Sequence, residues 1–356
     1  MKRSAVLVLA SSLAAVPAGA QLQITSAAGD SSLKLGLLAQ AQGEWLTSAG
    51  GEHTSQNLFL RRLRVLLGGK VGERISFFVD TDSPNLGKAG SDGKKNDADV
   101  FVQDAFVSVA VRPTLLVDVG MLLLPLSHNG QQGAATLLAL DYAPTTFLAS
   151  LPTGSRTGRD FGAQLRGYLF DRHLELRAAV SQGARGADAA QPLRTTVRAV
   201  WYPFEADTGF FYTGTFFGAK RLLAVGASHD QQAGYHTDAV DLVLDWPVGG
   251  GGDAVTAQAG LVRYDGGATL TELPRQDTAL LEASYYFKAL SLGPFVQLSC
   301  RDFDDPARAD ERSSQIGVAW WQNGHQLNLK LGAGRIERDG AADRTQVVLQ
   351  GQLFLY

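Results

Sequence analysis

The sequence predicts an all-β chain, a sixteen-stranded antiparallel transmembrane β-barrel. Three observations lead there. Side chains alternate apolar and polar with period two through most of the chain. Turn signals divide that alternation into segments of about ten residues, and the links between segments are by turns short and long. A strand of about ten residues tilted near 45° matches the hydrocarbon thickness of a bilayer. Lipid offers no hydrogen bonds, so every strand N–H and C=O must be paired, and only a closed sheet leaves no edge.

Composition narrows the alternatives. The 356 residues are 45% hydrophobic, 9% aromatic and 19% charged, which opposes disorder. A mean hydropathy of -0.03, with no long apolar run beyond the N-terminus, excludes a bundle of membrane-spanning helices. The single thiol, Cys300, cannot close an internal disulfide or build a Cys-based zinc cluster. The formal charge of -3 excludes a general nucleic-acid binder, which would carry a basic excess.

The first element is an export leader, expected over residues 1–20. Lys2 and Arg3 precede the apolar stretch Ala5 to Ala15, and Ala18-Gly19-Ala20 is a small-x-small cleavage site. Cleavage after Ala20 removes two cations and takes the formal charge from -3 to -5. The remaining residues 21–356 form the barrel domain.

Strands follow at 31–45, 58–70, 72–82, 99–111, 114–123, 160–170, 172–182 and 192–203, then 219–229, 235–246, 254–264, 277–287, 291–301, 312–322, 325–337 and 343–356. In the second, Leu63, Val65 and Leu67 oppose Arg62 and Arg64. In the seventh and eighth, Leu176, Ala178 and Val180 oppose Arg177, and Val197 and Ala199 oppose Arg198. Long polar links at 46–57, 83–98, 124–159, 183–191, 265–276 and 302–311 alternate with links of a few residues, the pattern of an outer-membrane barrel with loops outside and tight turns at the periplasmic rim. Two links break the rule. Residues 204–218, rich in Phe and Gly, are long where a short turn is due, and Gly249 to Gly252 is intermediate.

Aromatic residues near strand ends, Trp45, Trp201, Tyr202, Trp246, Tyr285, Phe287, Trp320 and Trp321, are expected to form interfacial girdles. The last strand alternates and closes on Tyr356, an aromatic C-terminus suited to an assembly signal. Phe354 and Tyr356 fall out of phase with the lipid face, so a bulge or an emerging terminus is expected there.

Phe59-Leu60-Arg61-Arg62-Leu63-Arg64-Val65, followed by Phe77-Phe78-Val79-Asp80, resembles the phosphate-selective porin O and P family. Gln103-Asp104-Ala105-Phe106, Gly120-Met121 with Pro125, Thr157-Gly158-Arg159-Asp160-Phe161-Gly162 and Val347 to Tyr356 are similar in order. The resemblance covers most of 30–356. It implies a homotrimeric channel in which the loop 124–159 folds into the lumen as a constriction, passing small anions such as phosphate or polyphosphate. Two departures stand against phosphate itself. Leu124, Leu126 and Ser127 replace charged residues around Pro125, and the loop has one acidic residue, Asp141, before Arg156.

If the apolar set faces lipid, Arg62, Arg64, Arg166 and Arg177 face the lumen, as do Arg194, Arg198 and Lys330, with Arg156 and Arg159 at the end of the inserted loop. Guanidinium forks fit the paired oxygens of phosphate or carboxylate, and a narrow pore screens them less than an open surface does. The alternative is that these arginines pair with Glu175, Asp160, Glu282 or Asp104 and line a general, weakly selective pore. Conduction in either case needs weak holding at several sites.

Catalysis, metals and cofactors are not expected. The six His lack HExxH spacing or a Cys partner, Gly214 to Lys220 misses the phosphate-loop spacing, and no Gly-x-Ser-x-Gly elbow occurs. The reading is therefore a passive outer-membrane channel for small anions, with a general weakly selective pore as the alternative and a barrel enzyme or a plugged structural barrel behind it, surrounded by outer-membrane lipid and with no nucleic-acid partner.

Overall fold

Seventeen strands carry almost all the regular structure of the computed structural model, which describes residues 22–48, 51–97, 99–150, 152–154 and 157–356. The leader expected at 1–20 lies outside the described residues. In the first half of the chain the strands are β1 (Leu22–Thr25), β2 (Ser31–Thr47), β3 (Thr54–Val71), β4 (Ile75–Asp82), β5 (Phe101–Arg112), β6 (Leu115–Leu123), β7 (Arg159–Leu169), β8 (Leu174–Ser181) and β9 (Arg194–Trp201). The second half holds β10 (Leu222–Gln232), β11 (Tyr235–Val248), β12 (Asp253–Asp265), β13 (Gln276–Tyr286), β14 (Leu292–Phe303), β15 (Glu311–His325), β16 (Leu327–Arg338) and β17 (Arg344–Leu355).

Each strand from β2 to β17 pairs antiparallel with the next, and β17 returns to β2, Leu355 opposite Leu37 and Gln346 opposite Leu46. Sixteen strands thus close the barrel. The additional strand β1 lies on the same edge of β2 just below β17, Leu22 opposite Leu35. At four residues it is too short to show a period.

Parity decides what each face meets. Val240, Leu261 and Ile316 are more than half exposed and point outward, as do Val65, Leu176, Val197 and Leu349. The residues between them, among them Arg177, Arg198, Asp230 and Gln350, are buried inside. This inverts a soluble sheet, and only lipid around the barrel makes it stable. Trp45, Trp201, Phe287 and Trp320 are exposed on the outer surface near strand ends. Tyr202 and Trp321 depart from the expected girdle: both are buried inside, where the Tyr202 hydroxyl donates to Glu175 at 2.9 Å.

The C-terminus also differs from expectation. The β16 to β17 and β17 to β2 registers run unbroken to Leu353 and Leu355, without a bulge. Phe354 and Tyr356 instead point inward, the Tyr356 ring against Phe78 with centroids 5.7 Å apart. A Cβ on Gly68 would lie 1.8 Å from the Tyr356 hydroxyl, so glycine makes that room. The bulge that matters is in β3, where Gln40 faces Arg62 but Ala41 faces Leu60, leaving Arg61 as the extra residue.

Replacing Leu242, exposed in the middle of β11, by Arg is expected to cost about 2–4 kcal/mol of barrel stability, because the new charge sits in hydrocarbon. Urea unfolding in lipid vesicles measures it, and an unchanged midpoint would contradict the outward assignment.

Candidate functional site

Two chain segments enter the barrel from opposite ends and meet inside it. The outer connection 124–158 begins with the one-turn helix α1 (His128–Gln131), whose N-terminus is capped by the Ser127 hydroxyl, 3.1 Å from the Gly130 amide. The stretch beyond is held by the opposite wall. Lys330 donates to the Leu137 and Ala139 carbonyls at 2.6 and 2.8 Å, and Glu282 accepts from the Ala139 amide at 2.7 Å. Gln352 and Gln40 donate to the Ala135 and Ala134 carbonyls. These polar side chains satisfy loop backbone that would otherwise be buried without partners.

Asp141 is the fixed point of this loop. The β3 bulge turns both Arg61 and Arg62 toward it, at 2.6 and 2.5 Å. Burial pushes the Asp141 carboxyl up, but the two guanidinium groups outweigh it and hold the carboxyl well below the usual range.

The second segment is the inner connection 202–221. Sequence reading places its bulk at the periplasmic rim, and the structure corrects this. It is rooted there and climbs to the middle of the wall, where Tyr212 is buried and bridges the outer loop: the Gly133 amide donates to the Tyr212 carbonyl at 2.9 Å and the Tyr212 amide to the Gln131 carbonyl at 2.8 Å. The Tyr212 ring stacks on His128, centroids 4.9 Å apart and planes 9° apart. Its Phe residues explain its composition: Phe210 stacks on Phe106 at 4.0 Å, and Phe211 meets Phe78 edge-on.

Every described sequence-predicted cation points inside, and each has a partner. Arg64 pairs with Asp80 and Asp82 at 3.2 and 2.8 Å, Arg159 with Asp104 at 2.9 Å, and Arg166 with Asp118 at 3.1 Å. Arg177 pairs with Glu175 at 2.5 Å, Arg198 with Asp241 at 2.7 Å, and Arg194 with Asp230, Nε lying 2.9 Å from Oδ1. Arg156 lies outside the described residues.

Register brings three of them into one row. Arg166 is opposite Arg177, and Arg177 is opposite Arg198, so strands β7, β8 and β9 carry guanidinium groups side by side. Like charges directly opposite repel, and three carboxylates and one ring offset this. Asp118, Glu175 and Asp241 interleave the row, while the Tyr212 ring lies 4.6 Å from Arg177 and 5.6 Å from Arg198. The inner connection completes the row's hydrogen bonds, since Arg177 donates to the Phe210 and Gly209 carbonyls, both at 2.9 Å.

Sequence reading missed Arg61, Asp118, Asp230 and Tyr212. Arg61 is signalled only by a bulge that the alternation does not show. Asp118 and Asp230 could be found by parity once strand register is known. Nothing in the sequence marks Tyr212.

No family model and no curated protein matches the sequence, so the likeness to phosphate-selective porins rests on its motifs alone. Solved structures do match in fold. The outer membrane channel DcaP of Acinetobacter baumannii is 12% identical, with a TM-score of 0.61 over 93% of this chain and 99% of that one. Salmonella typhi OmpF is 14% identical, with a TM-score of 0.60 over 93% and 100%. An anion-selective porin from Comamonas acidovorans is 12% identical, with a TM-score of 0.59 over 92% and 100%. With its closed sheet and apolar belt, the chain shares the fold of these outer-membrane barrels.

Lys330→Met removes the donor to two buried carbonyls and is expected to loosen the loop by about 1–3 kcal/mol. Faster hydrogen exchange in a peptide covering 134–141 reads this, and unchanged exchange would contradict the anchoring role. A second expectation concerns acid. Burial holds the His128 imidazole down at about 4, so an undocked loop takes up a proton before the docked one does. Docking is fully stable above the ordinary imidazole value of about 6.5 and weakens as pH falls toward 4. Protease sensitivity of the loop should rise over that window, and His128→Gln should flatten the rise.

Proposed function

We propose that this barrel is an outer-membrane channel for passive diffusion of small polar solutes, weakly selective by charge. The pairing of the inward cations carries this reading. The described arginines at the predicted sites each have a carboxylate within hydrogen-bond reach, so the wall offers solutes a balanced row of charges. Balanced charge gives shallow binding, which passage requires.

A second reading is a preference for small anions, phosphate among them. The row Arg166, Arg177 and Arg198 supports it, because three guanidinium forks at one level match the oxygens of a phosphate or carboxylate. The likeness to an anion-selective porin and the motifs shared with phosphate-selective porins point the same way. In both readings the chain is a homotrimer in outer-membrane lipid, exported with loss of its leader, and it performs no catalysis.

The reversal potential of purified protein in a planar bilayer across a KCl gradient separates the readings. A value near zero is expected. A strongly anion-selective value, with block by millimolar phosphate, would establish the second reading, and a strongly cation-selective value would overturn both. Arg159→Ala or Arg62→Ala should move the potential toward cations if either side chain lies on the route.

A further inference from the structure

The inner connection 202–221 is twenty residues long, whereas the other connections at that rim, such as 72–74, 113–114, 170–173 and 287–291, have one to five. A long link costs chain entropy that a tight turn avoids, and much of this one is packed inside the barrel. Tyr202, Asp207, Tyr212 and Thr215 are buried. Resting on the channel reading, we infer that this segment is a gate: it closes the lumen by occupying the arginine row, and conduction requires its withdrawal toward the periplasm.

Closure is visible in what surrounds the row. Arg177, Arg198 and Glu175 are 2% exposed or less in an architecture whose lumen is otherwise wet. Two cavities beside the outer loop have volumes of about 20 and 30 Å³, room for about one water each. Against the row the segment places the groups a solute would bring. Its Gly209 and Phe210 carbonyl oxygens sit in the Arg177 fork, its Thr208 carbonyl accepts from Arg166 at 3.4 Å, and its Tyr212 ring covers Arg177 and Arg198.

The contacts are of a kind that can be exchanged. Those with the row are mainly hydrogen bonds from wall arginines to backbone carbonyls, and water or a passing solute oxygen can replace a carbonyl without leaving a guanidinium unpaired, because Asp118, Glu175 and Asp241 stay on the wall, while Asp245 holds the far end of the segment by accepting from the Phe216 and Gly218 amides at 2.8 and 3.1 Å. Release therefore leaves no orphaned guanidinium. The start of the segment is tied to the rim by the Tyr202 amide on the His173 carbonyl, and its two ends are tied to each other by the Glu205 amide on the Arg221 carbonyl. The latch is the contact with the outer loop. Gly214 comes so close to it that a Cβ there would lie 2.1 Å from the Thr136 carbonyl oxygen, and Gln132 and Tyr212 face each other in a parallel bridge.

The experiment is single-channel recording on the full-length barrel in a Cys300→Ser background, which removes the outward thiol. Gln132→Cys with Tyr212→Cys places a disulfide across the latch. A second variant shortens 206–217 to a few Gly and Ser residues, with folding of each variant checked by heat-modifiable migration. The oxidised pair is expected to be silent and to open on reduction. The shortened variant is expected to raise the open fraction over the parent by about tenfold or more. If the oxidised pair conducts like its reduced form and the shortened variant matches the parent, the gate is overturned while the channel stands. If none of the folded proteins conducts, the channel reading falls and the gate falls with it.

Discussion

A guanidinium taken out of water needs a carboxylate beside it, and the interior of this barrel is arranged around that requirement. Leaving a buried charge unpaired costs about 3–5 kcal/mol, a large share of the stability of any domain. Arginines enter the lumen because strand parity puts them there once the apolar residues take the lipid face. The carboxylates then follow by register: Asp241 beside Arg198 across β10, Asp230 opposite Thr196 within reach of Arg194, and Glu175 two residues before Arg177 on the same face of β8.

The same requirement explains how irregular chain can lie inside the barrel. Backbone that is neither helix nor strand is tolerated at membrane depth only where protein or water satisfies it. Here Lys330, Gln40, Gln352 and Arg177 donate to loop carbonyls, and Glu282 and Asp241 accept from the Ala139 and His128 amides. Charged wall residues thus serve twice, in pairs with each other and as anchors for the two segments. An anchor made of hydrogen bonds can be traded for water at small net cost, which is why a packed lumen is compatible with a channel.

Much of this was legible in the sequence, and the limits have physical causes. Sixteen barrel strands stand close to their expected places because alternation with period two leaves one apolar face per strand. The inward direction of Arg62, Arg64, Arg166, Arg177, Arg194, Arg198 and Lys330 follows from the same parity. The pairs of Arg177 with Glu175 and Arg159 with Asp104 are among the alternatives that residue types alone suggest. Registers between strands are not written in the local pattern, so Asp118 and Asp230 were out of reach. The girdle roles given to Tyr202 and Trp321 failed because proximity to a strand end does not fix the side that a ring faces. The path of 202–221 rests on contacts between segments some 80 residues apart, such as Thr136 with Gly214, 78 positions away, and local composition carries no trace of them.

The charge-balanced lumen depends on the coupling between an inward arginine and its carboxylate, and a double-mutant cycle on Arg198 and Asp241 measures it most directly. Unfolding free energies of Arg198→Ala, Asp241→Ala and the double variant, taken in lipid vesicles, should show each single change as costly and the double change as far less costly than their sum. Additive losses would mean that the two side chains do not depend on each other, and the charge-balanced lumen would be contradicted.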